Sequence, residues 1–127
     1  MTRLLLIGLA GALGTCTRYL VGLGAARLLG TGFPFGTLLV NLAGCFLIAA
    51  ITYTALNTDL ISPTARLTLT TGFMGGLTTY SSFNLETTQL LQGRAWQTAA
   101  LNFSATVLGC FVAGLLGFAA ARRVLGP

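Results

Sequence analysis

From Leu67 to Leu85 the chain reads LTLTTGFMGGLTTYSSFNL, and eleven of these nineteen residues are Gly, Ser, Thr or Asn. No charged residue lies between Arg66 and Glu86. The stretch sits inside a longer run, residues 62–91, that exceeds the roughly 20 helical residues needed to cross a hydrocarbon core. A helix facing lipid gains nothing from such polarity. Gly72, Gly75 and Gly76 weaken a helix here, and irregular backbone at membrane depth survives only where protein buries it or it lines a cavity. The segment therefore reads as a broken membrane span whose freed carbonyls can coordinate a cation.

The rest of the chain supports a membrane setting. Of its 127 residues 54% are hydrophobic and 7% charged, where soluble domains carry about 25% charged residues. Further hydrophobic blocks run over residues 4–29, 35–56 and 96–121, separated by short connections rich in Gly, Pro, Asn and Asp. The expected fold is an all-α membrane protein of one domain, residues 1–127, with four transmembrane helices and the third one broken. Three further hydrophobic blocks follow it, so the first block is expected to be a retained span rather than a signal peptide.

All seven basic residues are Arg, against Asp59 and Glu86. Nucleic-acid binding calls for basic residues clustered on a polar surface. Here six of the seven arginines flank apolar stretches, the placement of membrane anchors. The expected environment is thus a lipid bilayer, with no nucleic acid as partner. With four antiparallel spans, Arg3, Arg66, Arg122 and Arg123 share one side and Arg27 and Arg94 the other. This weak bias favours cytoplasmic termini and is compatible with insertion in both orientations.

Polar groups within spans are costly and mark functional positions. In the first block Gly11, Gly14, Arg18 and Gly22 share one helical face. The glycines suit close helix packing. Arg18, about 20 Å along the helix, either snorkels to the interface or faces water or an anion. In the second block Thr37 and Asn41 share a face, and Asn41 serves either an interhelical hydrogen bond or a pathway. In the third, Tyr80 and Phe83 lie three apart on one face just beyond the glycines, flanked by Thr79, Ser81, Ser82 and Asn84, surroundings ill suited to an apolar core. In the fourth, Asn102, Thr106 and Cys110 form a stripe.

The chain has no His and no CxxC spacing, so neither a zinc site nor acid–base catalysis has the residues it needs. Cys16, Cys45 and Cys110 read as buried thiols packed as small apolar residues. Conduction or transport, not enzymatic chemistry, is the indicated class.

PFGTLLVN, GFMGGLTTYSSFN followed by LE, and Gly14 with Arg18 together resemble the bacterial fluoride channels of the Fluc or CrcB family, over nearly the whole chain. The resemblance implies passive, selective fluoride export from the cytoplasm across the bacterial inner membrane. It implies a dual-topology, antiparallel homodimer with two pores and a central structural Na⁺ on the backbone carbonyls of Gly75 and Thr78. By the same matching Asn41 donates to fluoride and Tyr80 and Phe83 present ring edges. Thr79 and Ser82 flank these aromatics on the fluoride pathway; Thr37, Thr106 and Cys110 form a polar track, and Arg18 is the first-span arginine. Position 80 is Tyr where many members have Phe, and Cys110 stands where some have Ser. Two other classes compete. A small multidrug-type exporter needs a membrane-embedded acid, and the one acid of the third span, Glu86, lies near its end. An assembly factor leaves the polar third span unexplained.

Overall fold

The computed structural model describes residues 1–126, which form an all-helical protein with no strand among them. Helix α1 spans Thr2–Leu29, α2 Phe35–Asn57 and α6 Trp96–Leu125. Between α2 and α6 the chain runs through α3 (Pro63–Leu67), a π-helical segment (Thr68–Met74), α4 (Gly75–Leu77) and α5 (Tyr80–Gln92). Helices α1, α2 and α6 are each long and apolar enough to cross a membrane. This is a multi-pass membrane architecture.

Local chemistry sets the boundaries. Gly30 ends α1 with φ 83°, a left-handed conformation open to glycine. Ser62 caps α3 by accepting from the Ala65 N–H at 3.2 Å, with Pro63 at the first helical position. The π-helical turns follow directly. There, hydroxyls back-bond to the chain: Thr68 Oγ1 donates to Thr64 O at 2.9 Å and Thr70 Oγ1 to Arg66 O at 2.8 Å. Thr78 and Thr79 are extended, with ψ of 154° and 112°. The helical run is broken between them.

Two packing relationships position the break. Helix α1 lies along the broken run, and α2 packs most extensively on α6. A Cβ on Gly14 would collide with the Phe73 carbonyl and one on Gly76 with the Gly11 carbonyl, while a Cβ on Gly72 would stand 2.8 Å from Ile7 O. The backbones of α1 and the broken run therefore touch, the use of small residues expected for the first-block glycines. Gly22 serves the same purpose against another neighbour, because a Cβ on Gly36 of α2 would stand 2.8 Å from its Cα. Val40, Met74 and Leu77 form a small apolar core between these elements, with Val21 and Phe73 packed against it.

The outer faces of α1 and α6 are apolar and the inside of the molecule partly polar. Leu9, Leu13 and Leu20 of α1 and Leu101, Leu108, Phe111 and Leu115 of α6 are exposed, whereas Asn41, Thr79, Asn102 and Thr106 are buried. This inversion suits lipid as solvent. Cysteine placement departs from expectation: Cys16 is exposed and Cys45 and Cys110 are half-buried, all three free. Cys16 lies on the outward face of α1, away from the glycines that meet the broken run.

Candidate functional site

The site is built around the two extended residues. The Asn41 amide on α2 grips the backbone of Thr79 from both sides: its Nδ2 donates to Thr79 O at 3.1 Å, and its Oδ1 accepts from the Thr79 N–H at 2.8 Å. One turn further along α2, a Cβ on Gly44 would collide with the methyl of Thr78. Helix α2 thus provides a socket for both residues of the break. The bidentate pair uses one of the two Asn41 amide hydrogens.

Beyond the break the chain restarts as a helix under its own cap. Thr79 Oγ1 accepts from the Ser82 N–H at 3.1 Å and also donates to Ser82 Oγ at 3.1 Å. Consequently neither backbone N–H keeps the partner that a continuous helix would assign it. The Thr79 N–H turns away from Gly75 O to Asn41, and the Ser82 N–H turns away from Thr78 O to the Thr79 hydroxyl. The extended pair releases four main-chain carbonyls from helical bonding, those of Gly75, Gly76, Leu77 and Thr78; for Gly75 and Thr78 the N–H that a continuous helix would supply is held by a side chain.

A pocket of about 290 Å³ opens beside the break, lined by Thr15, Arg18, Tyr19, Gly22, Gly36, Thr37, Thr79 and Ser82. Its sole charged side chain is Arg18. A wider pocket of about 460 Å³ shares Gly22, Gly36 and Thr37 with it and reaches to the Gly30–Pro34 connection and Glu86. Thr37 Oγ1 donates to Glu86 Oε1 at 2.6 Å, and the buried Oε2 has no hydrogen-bond partner.

The aromatic pair faces two ways. Phe83 is 3% exposed and Tyr80 77% exposed, although their rings meet edge-on with centroids 5.5 Å apart. Phe103 of α6 also packs on Phe83, at 6.1 Å. Behind them Asn102, 1% exposed, donates to Thr87 Oγ1 at 2.9 Å, and Thr87 donates to Phe83 O at 2.7 Å. Asn102 thereby fixes α5 against α6 directly behind the Phe83 ring.

These residues lie in a sequence frame shared with known proteins. The family model for the CrcB-like protein, Camphor Resistance (CrcB), matches residues 5–118. The chain belongs to the CrcB family. It is 47% identical over 125 residues to the fluoride-specific ion channel FluC of Sorangium cellulosum (strain So ce56), covering 98% of both chains. It is likewise 47% identical over 126 residues to that of Anaeromyxobacter sp. (strain K), covering 99% of this chain and all of the relative. Against the Geobacter sulfurreducens protein of the same name the identity is 46% over 124 residues.

Within this CrcB-family chain, Arg18, Thr37, Thr79 and Ser82 meet in one pocket. Asn41 stands behind Thr79, and Tyr80 and Phe83 begin the helix that Thr79 caps. Thr106 and Cys110 are not brought into that pocket. Thr106 is buried with its hydroxyl lacking a partner, and Cys110 lines a separate, mostly apolar pocket with Cys45 between α2 and α6. The Thr37–Glu86 pair and the contact from Asn102 to Thr87 are site features that sequence spacing did not yield. The partners are 49 and 15 residues apart, and only tertiary packing makes them neighbours.

Proposed function

We propose that this protein is a passive, fluoride-selective channel of the bacterial inner membrane that lowers cytoplasmic fluoride. The observation that carries the reading is the pocket at the break, where one guanidinium meets the hydroxyl-bearing Thr37, Thr79 and Ser82. Fluoride is small and strongly hydrated, so a pore must replace its water with donors. The Ser82 hydroxyl, the second Asn41 amide hydrogen and the positive edges of Tyr80 and Phe83 supply donors that carry no fixed charge, the Thr37 and Thr79 hydroxyl protons being given to Glu86 and Ser82. Arg18 lies on the α1 side and draws anions toward them, and binding stays weak enough for release. Thr106 and Cys110, which lie outside that pocket, are assigned to a separate polar track along α6. The naming of the relatives as fluoride-specific channels agrees with this chemistry.

The working unit in this reading is an antiparallel, dual-topology homodimer with two pores, each protomer crossing the membrane four times. Its support is the exposed face of the broken run. Thr71, Gly75, Tyr80, Ser81 and Asn84 all face outward, and lipid cannot satisfy such groups. A second copy covers them. A structural Na⁺ at the centre fits the same face. Gly75 is exposed, and its carbonyl and that of Thr78 have been relieved of helical bonds, leaving the hard oxygen donors an alkali cation takes. When bound, the ion supplies positive charge that holds the two breaks together.

Purified protein in liposomes preloaded with fluoride tests the function. Rapid fluoride efflux is expected once the electrical potential is shunted, with chloride retained by matched vesicles. Absence of selective fluoride efflux overturns the assignment.

A further inference from the structure

We propose that Asn41 and the Thr79 hydroxyl are positioning residues for the cation site, acting by diverting the two N–H groups that would otherwise occupy its carbonyl ligands. The inference rests on the Na⁺ reading above and assigns to Asn41 a second role beside that of an anion donor.

Every buried main-chain N–H must find a hydrogen-bond partner. In a continuous helix Gly75 O accepts from the Thr79 N–H and Thr78 O from the Ser82 N–H. Here Asn41 Oδ1 takes the first N–H at 2.8 Å and Thr79 Oγ1 takes the second at 3.1 Å. The extended backbone at Thr78 and Thr79 opens the break, and each of these two N–H groups is kept from its helical carbonyl by one particular side chain. Asn41 Nδ2 then holds Thr79 O at 3.1 Å, and the Thr78 methyl rests over Gly44, so the freed backbone is also held still. Remove the diverting acceptor and the stranded N–H returns to its helical carbonyl, which closes the cation ligand.

Acceptor and donor functions can be separated. Asn41→Asp keeps an oxygen for the Thr79 N–H but loses the amide donor. Asn41→Ala loses both. Thr79→Ser keeps the cap oxygen and Thr79→Val removes it. Loss of an outer group that orients metal ligands weakens metal binding by about 10–100-fold.

The test is the Na⁺-dependent rise in thermal unfolding temperature of the purified, detergent-solubilised protein, titrated against N-methyl-D-glucamine at constant ionic strength. Asn41→Ala and Thr79→Val are expected to shift the Na⁺ midpoint upward by about 10–100-fold. Asn41→Asp and Thr79→Ser are expected to keep the wild-type midpoint, Asn41→Asp doing so while losing fluoride flux. A merely structural role lowers the unfolding temperature equally at all Na⁺ concentrations and leaves the midpoint in place. If both acceptor-deleting variants keep the wild-type midpoint, the positioning role is overturned. If wild type shows no Na⁺-specific rise, the cation site itself is overturned. Should Asn41→Ala fail to fold, the Thr79→Ser and Thr79→Val pair decides the matter.

Discussion

The Cα of Gly14 faces the main-chain carbonyl of Phe73 so closely that no methyl fits between them. The contact is backbone against backbone, so neither side can yield by changing a rotamer. It fixes the distance between α1, which carries Arg18 one turn later, and the segment that leads into the break. The spacing of α1 from the broken run is thus set by a glycine outside the pocket that Arg18 lines.

Gly14→Ala is accordingly expected to destabilise the protein by about 1–3 kcal/mol through overpacking. A several-degree fall in unfolding temperature is the readout. Gly8→Ala is the control, because a Cβ there meets nothing within 4 Å. Equal behaviour of the two variants would count against the backbone contact.

Phe83→Ile is expected to cut fluoride efflux at least tenfold, the equivalent of about 1.4 kcal/mol, without changing the oligomer's elution volume. The substitution keeps bulk at a buried position and removes the ring edge. An unchanged rate would remove Phe83 from the conduction path.

Asn102→Ala breaks the hydrogen bond to Thr87. Interhelical hydrogen bonds in membrane proteins contribute about 0.6–1.7 kcal/mol, and a loss in that range is expected. Because Thr87 in turn bonds Phe83 O, fluoride flux should fall as well. Full flux alongside the stability loss would show that α5 holds its register without Asn102.

Thr37→Val leaves Glu86 with neither carboxylate oxygen hydrogen-bonded in the protein, since Thr37 is the partner of Oε1 and Oε2 has none. Stranding a buried acceptor costs about 1–3 kcal/mol. Thr37→Ser, which keeps the hydroxyl, should restore wild-type stability. Failure of Thr37→Ser to do better than Thr37→Val would mean that the methyl, not the hydroxyl, matters.

Arg94 is the one non-glycine residue with positive φ among the described residues, at 58°. Relief of the left-handed strain, less the added chain entropy of glycine, gives Arg94→Gly an expected gain of about 0.5–1 kcal/mol. A lower unfolding temperature would show that the Arg94 side chain makes a compensating contact.

Much of the architecture was legible in the sequence because lipid imposes a simple rule on composition. Long apolar blocks become helices, as with α1, α2 and α6, and the polarity of Leu67–Leu85 marks the run that cannot be an ordinary one. Gly11, Gly14 and Gly22 announced close packing, since only small residues let backbones meet, whereas Gly72 and Gly76 read only as helix weakeners and prove to be the other half of that contact. The spacing of Tyr80 and Phe83 put them on one face, yet one ring is exposed and the other buried. It could not reveal that Phe83 points inward and Tyr80 outward, because a helix shows its face only once it has neighbours.

How the break is made follows from packing between helices. Sequence places glycines where a helix is weak. It does not say which N–H leaves its carbonyl or where it goes. That depends on Asn41, 38 residues away, reaching the Thr79 backbone from another helix. The sequence alone determined that the run near Gly75 to Thr79 would be irregular. The packing of α2 against it determined where the irregularity falls and which carbonyls it sets free, because a hydrogen bond is directional and short and must be met by a partner already in place.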